Sequence, residues 1–118
     1  MAFDLSKSGL PQKIIISAFD HAIAFKDLSA GADHEIYGIY CFEDQELAFK
    51  AEQPSRHFAV DSVVHETLHA IFRTYALHHE KMSVKDSEEK IVTVIGTALT
   101  ALLRQNPSFL KWLAKHAA

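Results

Sequence analysis

The chain changes its hydrophobic period once, near Pro54, and that change does most to limit the folds open to it. Before Pro54, apolar residues come in short runs that alternate like strands. After it, they recur at the spacing of helices. A chain of 118 residues with 48% hydrophobic and 23% charged residues has the material for one core. The expectation is therefore a single α+β domain with a β-rich half, 1–53, and a helical half, 54–118. In it, a small antiparallel or mixed sheet packs on helices.

Within the first half, 13–17 (with Ile14, Ile15 and Ile16) and 22–26 read as strands, and Asp20-His21 as their connection. Gly31-Ala32-Asp33 breaks the chain. Runs 35–42 and 46–50, joined by Glu43-Asp44-Gln45, predict a β-hairpin. In its second arm Leu47 and Phe49 alternate with Glu46, Ala48 and Lys50, which predicts one wet face. In the second half, apolar positions 60, 63, 64, 68, 71 and 72 predict a helix over 60–75, capped by Asp61 or Ser62. A polar connection over 78–82 follows. Ser83 with Asp86 resembles a capping box for a second helix running to about 105. Ile91, Val92, Ile95, Ala98, Leu99 and Leu102 line one face of it. Asn106-Pro107 ends that helix, because proline cannot continue the ladder. A short segment, 109–116, with Leu110, Trp112 and Leu113, docks as a third helix.

Charge and composition exclude several partners. The net charge is −3, the isoelectric point about 6.2, and Lys and Arg form no run, so no nucleic-acid footprint is expected. No apolar segment reaches membrane-spanning length, and no basic leader precedes an apolar run. The expected location is cytoplasmic and reducing. The single cysteine, Cys41, forms no intramolecular disulfide and reads as a buried reduced thiol.

His65-Glu66-Thr67-Leu68-His69 lies inside the first long helix. Histidines four apart stand one turn apart on the same face, so both imidazoles reach one ion, and zinc accepts neutral imidazole nitrogens. Glu66 is rotated by about 100° from His65 and is free to act as general base. Val63 and Val64 before the motif, and Ala70, Ile71 and Phe72 after it, place it in an apolar helix. Zinc needs a third protein ligand, with the fourth position open if the site is catalytic. His78 and His79 read mainly as exposed loop residues. His21, His34, His57 and His116 have no partner pattern.

The apolar run into His65-Glu66-Thr67-Leu68-His69-Ala70-Ile71, then Glu88-Glu89-Lys90-Ile91-Val92 and Arg104-Gln105-Asn106-Pro107, is similar to small HExxH zincin-like metallopeptidases of phages and prophages. The chain also resembles a minimal gluzincin, the upper half of thermolysin-like proteins. A metzincin continuation is closed, because Phe72 and Tyr75 stand where it needs glycine and histidine. The gluzincin pattern supplies a glutamate from the next helix. Glu88 follows His69 after 18 residues and Glu89 after 19, and both spacings resemble gluzincin families. Glu89 fits better, because Ile91, Val94 and Ile95 then fall at the family's apolar places and Thr93 at its polar one. Glu88 stays the alternative.

The resemblance implies zinc and peptidase chemistry on a peptide or protein substrate, with Glu66 as base. Full-size gluzincins carry an oxyanion-stabilising histidine or tyrosine beyond the glutamate helix. Here only His116 follows Pro107, and Tyr75 or a tyrosine of the first half is the candidate substitute. Weak, latent or partner-dependent activity is therefore expected. In the peptidase reading a substrate adds as a strand along 46–50, taken as an exposed edge. A zinc-binding regulatory or interaction protein on the same scaffold is the alternative. A metal-free α+β domain is the third reading.

Overall fold

A computed structural model describes residues 2–29, 31, 33–76 and 84–118, with backbone alone for 84–87. It is α+β, as expected. The elements run β1 (Phe3–Asp4), a 3-10 turn (Leu5–Lys7), β2 (Lys13–Ile16), β3 (Phe19–Phe25), β4 (Gly38–Cys41), β5 (Glu46–Phe49), β6 (Glu52–Gln53), α1 (Arg56–Thr74), α2 (Val84–Gln105) and α3 (Pro107–His116). Strands β2-β3-β5-β4 form a mixed sheet, and β1 pairs with β6 in a separate ribbon.

The hairpin of β4 and β5 forms, with Ile39 opposite Ala48 and Tyr40 opposite Leu47. The first hairpin turns earlier than the sequence suggested. Asp20 and His21 lie inside β3, paired with Ile15 and Ile14, and the turn is Ser17-Ala18. Ser17 takes φ +58°, the left-handed value that a two-residue hairpin needs at its first central position. Polar residues at 20 and 21 masked the strand, although His21 is on the inner face and 1% exposed.

Strand β5 is not an edge. It runs parallel to β3 on one side and antiparallel to β4 on the other, so β4 is the edge instead. On its expected wet face Glu46 and Lys50 are half-buried and pair with Lys26 and Glu35, whereas Ala48, between Ala24 and Ile39, is 3% exposed. Cys41, at the end of β4, is only half-buried, with its thiol 3.4 Å from Asp44 and 3.7 Å from Glu43.

Helix α1 begins before 60. Ser55 is the cap, its hydroxyl accepting from the Phe58 amide at 3.1 Å, so Asp61 and Ser62 lie within the helix. Its buried face is Ala59, Val60, Val63, Glu66, Thr67, Ala70 and Ile71, whereas Val64 and Leu68 are exposed. The apolar residues of α1 span two adjacent rows, and the sheet covers only one. This face meets Ile14, Ile16, Leu47 and Phe49 to form the core. The burial of each such side chain contributes about 1.5–3 kcal/mol.

Helix α2 joins the core through Ala98 and Leu102, while Ile91, Val92 and Leu99 remain exposed. Its end is held on β2 by Asn106, whose Oδ1 accepts from the Ile15 amide at 2.8 Å. The Asn106 Nδ2 donates to the carbonyls of Ile15 (2.9 Å) and Leu102 (2.7 Å). One carboxamide thus stands in for a neighbouring strand at the sheet edge. Proline opens α3, whose buried side is Phe109, Trp112 and His116, with Leu110 exposed. Trp112 Nε1 donates to Ser8 Oγ at 2.9 Å and the His116 Nε2–H to the Ser8 carbonyl at 3.1 Å. Among the described residues, no helix is long and apolar enough to cross a membrane. The connection over 78–82, His78, His79 and Ser83 lie outside the described residues.

Candidate metal centre

The middle of α1 carries the site. One turn of helix separates His65 from His69, and their Nε2 atoms stand 3.1 Å apart, with the rings edge to face. Both are exposed. Glu66 is 9% exposed and places a carboxylate oxygen 3.9 Å from His65 Nε2. Ligand atoms of the three residues lie within 4.8 Å of one another.

Donor chemistry and spacing fit a zinc ion. With zinc–nitrogen bonds of about 2.0–2.1 Å and tetrahedral angles, two ligand nitrogens should be about 3.3–3.4 Å apart. The observed 3.1 Å needs only a small opening. The Glu66 oxygen at 3.9 Å lies beyond that ligand–ligand edge, a position suited to a base beside the ion. To ligate, both imidazoles must present a bare Nε2 and keep their proton on Nδ1.

Glu66 is fixed by the edge strand. At Gly38 a Cβ would come within 3.1 Å of Glu66 Cγ and of the Phe49 ring, so glycine lets β4 approach the carboxylate's stem. The Lys50 amide donates to the Tyr37 carbonyl, and antiparallel alternation then turns the main-chain groups of Gly38 and Tyr40 toward the free side of β4. An open cleft of about 380 Å³ runs beside Glu66 and His65, bordered by residues 34–38 and by Phe58, Asp61 and Ser62. A larger depression, about 580 Å³, lies between residues 11–13 with Ile15 and residues 105–109, and among the described residues Lys13 is the charged one that lines it.

Three of the expected site residues therefore come together, and two do not. Glu88 and Glu89 are exposed near the start of α2, and among the described residues neither joins the cluster of His65, Glu66 and His69. Of the tyrosines, Tyr37 lines the cleft, Tyr75 packs against the core, and Tyr40 buries its hydroxyl on the Thr74 side of α1. The contribution of Gly38 was not read from the sequence. A glycine inside an apolar hairpin arm, flagging a close backbone approach, was the available signal.

Ionisation around the cleft is set by pairing. Glu35 is held below the usual carboxylate range by hydrogen bonds from Lys50 at 2.6 Å and Ser29 at 2.8 Å. The same contact raises Lys50. Away from the cleft, burial lowers His21 and raises Tyr40. Comparison with models of known protein families, with curated proteins and with solved structures finds no match.

Proposed function

We propose that this protein is a zinc-dependent hydrolase of peptide bonds, with His65 and His69 as metal ligands and Glu66 as general base. The observation that carries the reading is the grouping of two accessible imidazole nitrogens and one buried carboxylate on consecutive turns of α1. Zinc at this position supplies Lewis acidity toward a carbonyl oxygen. Glu66 takes the proton of the attacking water and hands it to the departing amine nitrogen. Its burial against Gly38 holds that carboxylate in one orientation. The free side of β4 offers main-chain groups at Gly38 and Tyr40 to an extended peptide, which lays the scissile bond across Glu66.

Glu89, with Glu88 as the alternative, is the third ligand in this reading. Reaching the cluster requires the start of α2 to lie closer to α1. Metal analysis of untagged protein should give one zinc per chain, lost in His65→Ala and His69→Ala. Glu89→Gln should weaken zinc binding more than Glu88→Gln. Glu66→Gln should keep zinc and abolish cleavage of a peptide library; cleavage that persists in Glu66→Gln would refute its role.

A second reading, a zinc-binding regulatory protein without catalysis, draws on the absence of Glu88 and Glu89 from the cluster among the described residues. It requires Glu66→Gln to leave biological function intact while His65→Ala destroys it.

A further inference from the structure

We propose that the cleft beside the metal centre is a specificity pocket for a basic side chain, arginine or lysine, on a peptide lying along β4. The peptide part of this proposal rests on the hydrolase reading above; the cleft's charge and walls do not.

Its walls are aromatic. Tyr37, at the approach to β4, and Phe58, in the first turn of α1, meet edge to face with ring centroids 4.9 Å apart. Both border the cleft, and Phe58 is 41% exposed, so its ring is open to a side chain entering there. Aromatic faces attract alkyl stems and cations alike. Lys50 already stands over the Tyr37 ring, its ammonium 5.5 Å from the centroid.

The charge is negative and one carboxylate is free. Glu35 borders the cleft but is engaged by Lys50 and Ser29. Glu66 is committed to the metal centre. Asp61 is exposed, borders the same cleft, and has no hydrogen bond or ion pair among the described residues. It lies four residues before His65, on the same face of α1 and about 6 Å along the helix axis. An extended peptide advances about 3.3 Å per residue, so this carboxylate serves a side chain one or two residues from the bond that reacts. A guanidinium or ammonium there meets Asp61 while its stem lies on Phe58 and Tyr37. An acidic side chain at the same place faces the unpaired Asp61 carboxylate.

The test uses zinc-loaded Glu66→Gln, which binds without turnover, and capped alanine hexapeptides carrying one arginine, citrulline or glutamate at each position in turn. Citrulline matches arginine in shape and lacks its charge. At one position arginine should bind about three- to tenfold tighter than citrulline, with glutamate weakest and the gap narrowing as salt rises. Adding Asp61→Asn should erase the gap without changing zinc affinity or helicity, and Asp61→Glu should restore part of it. Equal binding of arginine and citrulline peptides, or a preference that survives Asp61→Asn, overturns the pocket while leaving the hydrolase reading standing. Charge-selective binding with no cleavage by the wild-type zinc form does the reverse. If no peptide binds, the pocket fails, and cleavage of the peptide library by the wild-type zinc form decides the hydrolase reading separately.

Discussion

Gly38 joins the edge strand to the helix through contacts that a single methyl group would disturb. The added Cβ of Gly38→Ala would press on Glu66 Cγ and on Phe49, which is fully buried and cannot retreat. Overpacking of this kind costs about 1–3 kcal/mol, against a gain of about 0.4–1 kcal/mol from a less flexible unfolded chain. The expected net loss is roughly 1–2 kcal/mol in urea denaturation, with zinc affinity unchanged because neither imidazole touches Gly38. His21 bears on pH. Its Nδ1–H donates to the Phe19 carbonyl at 3.1 Å, and its Nε2 is buried without a partner among the described residues, so a second proton has nowhere favourable to sit. Burial lowers its pKa below the unfolded value of 6.5. The folded state therefore binds fewer protons, so this contribution to stability is complete above pH 6.5 and is lost as pH falls through the folded value. Urea midpoints should drop between pH 7.5 and 5.5, and His21→Leu should flatten that part of the profile; an unchanged slope would remove His21 as the cause.

At the scale of elements, α2 is held at its C-terminal end. Asn106 makes three hydrogen bonds there, two of them to the main chain of Ile15. Asn106→Ala should cost about 2–4 kcal/mol, from lost bonds and a stripped strand edge, and should speed hydrogen exchange at the Ile15 amide. Val92, 63% exposed on the same helix, should tolerate serine within about 0.5 kcal/mol. The sequence marked Asn106-Pro107 as a helix end, and that is where α2 stops. It did not reveal that the asparagine closes a sheet edge 91 residues away, because that partner is main chain and carries no side-chain signature. Helix α1 makes the same point about phase. Its apolar rows were legible, but which of them faces the sheet was not, since Val64 and Leu68 are as apolar as Val63 and Ile71.

For the molecule as a whole, metal and fold are coupled by mass action. Zinc binding to the native state at 100-fold over its dissociation constant adds about 2.7 kcal/mol. For a domain of this size that is a rise of about 10 °C in Tm. The rise should disappear in His65→Ala and His69→Ala and persist in Glu66→Gln. No shift in wild-type protein would count against the metal centre itself.

What the sequence determined by itself was local: the change from strand to helix period at Pro54, the β4–β5 hairpin, the C-terminal ends of α2 and α3, and the pairing of His65 with His69. Each follows from side-chain spacing along a regular backbone, which needs no distant partner. Only the tertiary structure decided the rest. Strand order put β5 inside the sheet and β4 at its edge, because β3 pairs with β5 across a long connection. That order placed Gly38 against Glu66 and gathered Tyr37, Phe58 and Asp61 around one cleft. Glu88 and Glu89 stand outside the cluster among the described residues, since helix spacing fixes where a glutamate falls along α2 but not how α2 lies against α1.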